Sequence, residues 1–105
     1  MTFDYPAYIA CFLTGDDDAL VERYFADDCA MYSGSGVRTG KQGMKDFLAW
    51  AHDGVRECPR IQRYVQEAYV LFADIDMDCH ATKHRPEFPF GAMHPGDTIT
   101  VKFLA

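Results

Sequence analysis

The stretch Ile75-Asp76-Met77-Asp78-Cys79-His80-Ala81-Thr82-Lys83-His84 decides the fold, because its apolar and polar side chains alternate. Alternation with a period of two is typical of a β-strand that has one apolar face and one polar face. The sequence therefore predicts a strand over residues 75–84. Its polar row consists of Asp76, Asp78, His80, Thr82 and His84.

This polar row has two interpretations: a solvated face of the sheet, or the lining of a wet pocket or subunit interface. His80 is its member of chemical interest, because an imidazole titrates near neutrality and Asp78 lies two residues away on the same side. In a strand that rises ~3.3 Å per residue, His80 and His84 lie about 13 Å apart, too far to share a metal ion. No metal site is predicted.

The second half of the chain is predicted to be β-structure. Pro59 opens it, and further strands are expected over residues 61–70 and Thr98–Leu104. The loop between the last two strands contains Arg85-Pro86-Glu87-Phe88-Pro89 and His94-Pro95-Gly96-Asp97, both rich in turn-forming residues.

The first half is predicted to be mainly helical. One helix starts at the N-cap Asp4 and ends at Gly15, and a second starts at the N-cap Asp16. A short strand over residues 29–32 and a turn over residues 33–36 precede a third helix. This helix is expected to begin with a capping box formed by Thr39 and Gln42. The order of elements predicts one α+β domain over residues 1–105, with helices covering one face of a mainly antiparallel sheet.

Composition excludes several classes of protein. The chain has 105 residues, 10 Lys and Arg against 16 Asp and Glu, and a net charge of −6, which argues against a nucleic-acid binder. No apolar segment approaches the ~20 residues of a membrane span, and no secretory signal is present, so a cytoplasmic location is predicted. The cysteines form no CxxC pair and are expected to be reduced thiols; they are Cys11, Cys29, Cys58 and Cys79.

The sequence argues against two motifs, a phosphate-binding loop and a nucleophile elbow. The segment Gly36-Val37-Arg38-Thr39-Gly40-Lys41-Gln42 lies where a phosphate-binding loop belongs, but it has three residues between its glycines instead of four. Gln42 also stands where a Ser or Thr would hold Mg²⁺. No Gly-x-Ser-x-Gly nucleophile elbow is present, so covalent catalysis is disfavoured.

A family resemblance rests on four stretches of the first half. They are Leu13-Thr14-Gly15-Asp16, Asp18-Ala19-Leu20-Val21-Glu22-Arg23-Tyr24-Phe25, Phe25-Ala26-Asp27-Asp28-Cys29-Ala30-Met31-Tyr32, and Gly40-Lys41-Gln42-Gly43-Met44-Lys45-Asp46-Phe47-Leu48. Together they resemble the nuclear transport factor 2-like superfamily, above all its SnoaL-like polyketide cyclase and ketosteroid isomerase branch. The resemblance covers roughly residues 5–54 by motif and the remainder only by strand order.

The resemblance implies a cone, in which a curved antiparallel sheet wraps around the N-terminal helices and leaves a pocket for a hydrophobic small molecule. It also implies a homodimer through the outer sheet face, and chemistry without a cofactor. His80 would be the base or acid, assisted by Asp78 or Asp28, with Tyr32 as a hydrogen-bond donor. The implied aromatic wall of the pocket consists of Tyr8, Phe12, Phe47, Trp50 and Tyr64.

The chain departs from the family after Thr98–Leu104, where relatives add one more strand that closes the cone. Three alternatives follow: the closing strand is missing here, another chain supplies it, or the sheet is open on one side. An edge strand that carries Ile99, Val101 and Phe103 is expected to be a pairing edge.

Two functions follow as expectations. The first is a SnoaL-like acid–base enzyme, an isomerase, dehydratase or cyclase that acts on a hydrophobic substrate in the cone pocket. The alternative is a non-catalytic, dimeric ligand- or protein-binding module of the same fold. A pocket without an inward-facing carboxylate or imidazole favours the second.

Overall fold

The computed structural model describes residues 3–34 and 36–105, and within them it contains three helices and two antiparallel sheets. The α+β class predicted from the sequence is confirmed. Contacts divide the chain into two compact units. We call Asp4–Asp53 the helical unit, and Gly54–Ala105 together with Phe3 the sheet unit.

The helical unit contains α1 (Tyr5–Leu13), α2 (Asp17–Tyr24), β1 (Ala30–Ser33), β2 (Gly36–Thr39) and α3 (Gly40–Ala51). The first two helices begin at the predicted N-caps. The Asp4 side chain accepts a hydrogen bond from the backbone N–H of Ala7, and Asp16 accepts one from Ala19, both at 3.1 Å. These bonds satisfy backbone donors that the first turn of a helix leaves open.

The core of the helical unit lies between α2 and α3. Leu20 and Val21 of α2 pack with Met44 and Leu48 of α3, and all four side chains are buried. The surrounding side chains are partly buried: Tyr8, Cys11, Phe12, Tyr24, Phe25, Cys29, Met31 and Phe47. α2 and α3 therefore bury their apolar sides against each other.

Two local predictions in this unit differ from the structure. Thr39 is the N-cap of α3 but makes no side-chain capping bond, and Gln42 instead donates to the Asp46 carboxylate at 2.8 Å. The predicted capping box is therefore wrong. Gly36–Thr39 forms β2, which pairs with β1, so Ser33 and Gly36 belong to strands and not to the predicted turn. Ser35, within the predicted turn, lies outside the described residues.

The sheet unit contains β3 (Val55–Glu67), β4 (Val70–Ala81) and β5 (Thr98–Leu104), with β4 in the centre. Both pairings are antiparallel. β3 starts six residues earlier than predicted and carries Pro59, which an edge strand tolerates because its outer N–H needs no partner. β4 ends at Ala81, so Thr82 and His84 are not part of its polar row.

The predicted alternation along β4 is confirmed up to residue 81. Ile75, Met77 and Cys79 are buried, whereas Asp76, Asp78 and His80 lie on the opposite face. None of the helices in residues 3–34 and 36–105 is long and apolar enough to span a membrane.

Candidate functional site

The polar face of the β3–β4–β5 sheet holds a network of opposite charges. In an antiparallel sheet, directly paired residues project to the same face. Arg60 pairs with Asp76, Arg63 pairs with Asp74, and Lys102 pairs with Asp76, so β4 supplies acids between two strands that supply bases. We call the network the charged ladder; its members are Arg60, Arg63, Asp74, Asp76, Asp78 and Lys102.

Asp78 is the most constrained carboxylate of the ladder. Arg60 donates to both of its oxygens, with Nε at 2.7 Å from Oδ2 and Nη2 at 3.1 Å from Oδ1. The Thr100 hydroxyl donates to Oδ1 at 2.6 Å. The hydrogen bonds from Arg60 and then Thr100 lower the pKa of Asp78 to about 2. The carboxylate is therefore ionised near neutral pH, and a group with so low a pKa is a poor general base.

Asp74 and Asp76 share the cation of Lys102. Its Nζ lies 2.8 Å from Asp74 Oδ1 and 3.1 Å from Asp76 Oδ1, and Arg63 Nε lies 3.3 Å from Asp74 Oδ2. The hydrogen bond from Lys102 lowers the pKa of Asp74 below its ordinary value. Exposed pairs of this kind contribute little stability one at a time, but a network fixes the relative positions of its side chains.

His80 lies two residues beyond Asp78 on the polar face, near the C-terminal end of β4. It is exposed, and its Nδ1 lies 3.0 Å from the hydroxyl oxygen of Thr98, the residue opposite it on β5. This hydrogen bond fixes the orientation of the ring. The structure thus places His80 and Asp78 on one face, as the alternation predicts, and adds Arg60, Thr98 and Thr100 as partners that the sequence did not indicate.

An exposed apolar patch lies beside Asp74, at the end of the charged ladder farthest from His80. Val65 and Phe72 are directly paired across β3 and β4, and they are 64% and 67% exposed. Val70 is half exposed, and Leu104 of β5, opposite Asp74, is 82% exposed. We call these four residues the tip cluster. The sequence does not indicate this cluster, because it predicts one uninterrupted strand over residues 61–70 with no exposed apolar face.

The other predicted site residues are placed as follows. In the helical unit, Asp28 lies in an exposed turn and Tyr32 is exposed on β1. Tyr64 lies on β3, opposite Ala73, and is exposed. The remaining predicted wall residues belong to the helical unit, where the first three surround its core: Tyr8, Phe12, Phe47 and Trp50. Their roles as catalytic or pocket residues stay predictions.

Among the predicted wall residues, Tyr8 has a strongly shifted pKa, and the cause lies within the helical unit. Its ring packs edge-on against Tyr24 at 5.3 Å between centroids. Burial raises the pKa of Tyr8 to about 12. Its phenol therefore stays protonated throughout the physiological range and is available as a neutral hydrogen-bonding group.

Cysteine thiols and clusters of metal ligands are two further kinds of site. All four cysteines are free thiols, and burial raises the pKa of Cys79 to about 12, which leaves it without the thiolate that a nucleophile needs. In the part of the chain that the structure describes, no group of three or more His, Cys, Asp or Glu residues is placed to hold a metal ion.

The comparisons with known proteins add no assignment to these observations. No family model matches this chain, and neither a curated protein nor a solved structure matches it.

Proposed function

We propose that the chain is a non-catalytic protein-binding module that forms a homodimer through the polar face of its β3–β4–β5 sheet. One observation carries the proposal: the charged ladder and the tip cluster lie side by side on that face. Exposed apolar side chains rimmed by charges are typical of protein-interaction surfaces. The ladder holds both signs of charge, so it suits a protein surface better than a polyanion.

The order of charges makes this face complementary to itself. Consider a two-fold axis that runs parallel to the strands over the gap between β3 and β4. It places β3 of one copy over β4 of the other without changing the height along the strands. Arg63 then faces Asp74 of the second copy, and Val65 faces Phe72 of the second copy. Such an isologous arrangement is the commonest for soluble homodimers.

The two parts of the face would have different roles in the dimer. Apolar area in the tip cluster supplies association free energy, at about 25 cal/mol per Å² buried. The ladder selects the partner and its register, because a shift by one strand brings like charges together. A second copy is therefore the occupant that the surface fits best.

Substitution of Phe72 tests the dimer. Wild-type protein is expected to show a concentration-dependent dimer in sedimentation velocity. Phe72→Asp should weaken the dimer at least about tenfold, because loss of a buried aromatic anchor costs about 2 kcal/mol or more and about 1.4 kcal/mol already corresponds to a tenfold change. Phe72 is exposed in the single chain, so circular dichroism should show an unchanged fold.

Val37→Asp is the matched control, because Val37 is a 56% exposed β-strand residue in the helical unit. It should leave the dimer constant unchanged. A wild-type chain that stays monomeric at high concentration would sink the proposal, as would an equal loss of dimer in both variants.

A second candidate function is the acid–base enzyme of the SnoaL-like kind, with the cone and hydrophobic pocket that this resemblance implies. The observation in its favour is the oriented imidazole of His80, held by Thr98. Asp78 supports the enzyme candidate less, because its low pKa keeps the carboxylate ionised. The same carboxylate is also paired with Arg60.

The enzyme candidate predicts that the chain exchanges the α-protons of a hydrophobic cyclic ketone with D2O, which NMR would detect. His80→Asn should reduce that exchange by about 100-fold or more, the usual contribution of a positioned general base. Exchange at the buffer rate with wild-type protein would argue against an isomerase at this site.

A further inference from the structure

We propose that His84 and His94, in the loop between β4 and β5, form a two-imidazole surface site for a divalent transition-metal ion such as Zn²⁺ or Ni²⁺. The two rings stack with their centroids 4.8 Å apart and their planes at 17°. The inference is independent of the proposed dimer, because neither residue belongs to the charged ladder or the tip cluster.

The backbone brings the two histidines together. Arg85 and Met93 form an antiparallel bridge in which each N–H donates to the other residue's carbonyl, at 2.8 and 3.0 Å. His84 precedes Arg85 and His94 follows Met93, so they occupy the next pair of positions. At such a non-hydrogen-bonded pair, opposite Cβ atoms lie only about 4.5–5.5 Å apart.

The bridge itself is firmly held. Arg85 and Met93 are both buried, and the Arg85 guanidinium lies over the Phe88 ring at 5.4 Å from its centroid. The histidines therefore project from a fixed base, although their own side chains are exposed. A pre-positioned pair loses less conformational entropy on binding an ion than two residues on mobile loops.

A turn orients the second imidazole. Residues 94–97 close with a hydrogen bond from Asp97 N–H to the His94 carbonyl at 3.0 Å, and Gly96 has φ +91°. Pro95 and Gly96 at the two central positions are typical of a type II turn. The Asp97 carboxylate accepts from the His94 backbone N–H at 2.8 Å and lies 3.5 Å from its Nδ1.

This carboxylate, with Oδ2 3.5 Å from Nδ1 of His94, lies where metal-binding histidines usually have their second partner. A carboxylate beside Nδ1 favours the proton there, which leaves the Nε2 lone pair for a metal ion. Zn²⁺, Cu²⁺ and Ni²⁺ all accept imidazole nitrogen as a ligand. The rings must turn so that one nitrogen of each reaches ~2.1 Å from the ion, and exposed side chains make that rotation at little cost.

The site has two protein ligands, and water completes the coordination. Protons and the ion compete for the same nitrogen lone pairs, so binding weakens in acid.

The test is a Zn²⁺ titration of the full chain, followed by the imidazole ¹⁵N and ¹H NMR signals of each histidine. The His84 and His94 signals are expected to shift together and to saturate. His84→Gln and His94→Gln should each weaken binding at least about tenfold, because even an outer partner of a metal ligand is worth that much. Both side chains are exposed, and circular dichroism checks that the fold is unchanged.

His80→Gln is the matched control, since His80 is also an exposed histidine of the sheet unit. Its ring contacts the Thr98 hydroxyl and is not part of the proposed pair. The affinity of this variant for Zn²⁺ should equal that of the wild type. The proposal is overturned if His80→Gln weakens binding as much as the other two variants. It is also overturned if both His84→Gln and His94→Gln bind as the wild type does.

Asp97→Asn separates orientation from ligation. Asparagine keeps an oxygen that accepts from the His94 N–H but removes the negative charge. Binding should weaken by a smaller factor than in either histidine variant. An equal or larger loss would make the carboxylate a ligand and refute the two-imidazole site.

Discussion

Leu20→Ala is expected to destabilise the helical unit by about 2–5 kcal/mol, the cost of removing a fully buried leucine and leaving a cavity. Leu20 is 1% exposed, and its neighbours in the core are Val21 of the same helix with Met44 and Leu48 of α3. These two helices hold the centre of the unit. Since whole domains are stable by only about 5–15 kcal/mol, the loss would be a large part of the total.

Urea unfolding followed by the fluorescence of Trp50 measures this loss, because the chain has a single tryptophan and it lies in α3. Leu13→Ala is the matched control: Leu13 also lies in a helix of this unit but is 40% exposed, so the change should cost less than about 1 kcal/mol. Equal costs for the two variants would mean that the α2–α3 core does not hold the unit together.

Gly54→Ala is expected to cost about 2–4 kcal/mol, from two separate sources. Gly54 has φ +71°, a conformation that costs an L-residue roughly 1–2 kcal/mol. A Cβ atom at this position would also lie 2.3 Å from Lys83 Cβ, far inside van der Waals contact. The Gly54 carbonyl accepts a hydrogen bond from Thr82 N–H at 2.8 Å, so the two segments cannot separate freely.

Gly15→Ala isolates the first source, because Gly15 also has a positive φ, +81°, but no atom beyond its two chain neighbours lies within 4 Å of the position that a Cβ would occupy there. It should show the conformational cost alone. The double variant Gly54→Ala with Lys83→Gly should recover part of the loss. Thermal unfolding followed by circular dichroism measures all three. Equal destabilisation by Gly54→Ala and Gly15→Ala would show that the contact with Lys83 relaxes without cost.

The parts of the fold that the sequence predicted well are those governed by local chemistry. Asp4 and Asp16 cap helices because their short carboxylates reach a backbone N–H three residues on. The alternation over residues 75–81 appears as one buried and one polar face because the strand period allows no other arrangement. Both features depend on neighbours in sequence.

Strand boundaries were less predictable. Ala68 and Tyr69 form the turn between β3 and β4, and neither residue type is typical of turns, so the sequence predicts one strand over residues 61–70. Pro59 indicates a strand boundary in the sequence, although an edge strand accommodates it. In both cases the cross-strand pairing, which is not local, determines the outcome.

For the candidate site, the sequence predicts the row of polar residues along β4 but not their contacts with side chains of β3 and β5. His80 and Asp78 share a face, as the alternation indicates. Arg60 and Thr100 surround Asp78 only because the register sets 58 opposite 78 and 78 opposite 100. The His84–His94 pair escaped prediction for the same reason: the Arg85–Met93 bridge joins residues that no sequence periodicity relates.

The connection between β3 and β4 is much shorter than the one between β4 and β5, and this difference has a consequence for the order of folding. β3 and β4 meet across a tight turn, from Glu67 opposite Val70 outward to Val55 opposite Ala81, so their contacts begin locally and can form progressively. β5 reaches β4 only after residues 82–97 have ordered, a closure with a larger entropic cost. We therefore expect this hairpin to form early and β5 to dock late. An ion bound by the loop would bias that last step towards the completed sheet.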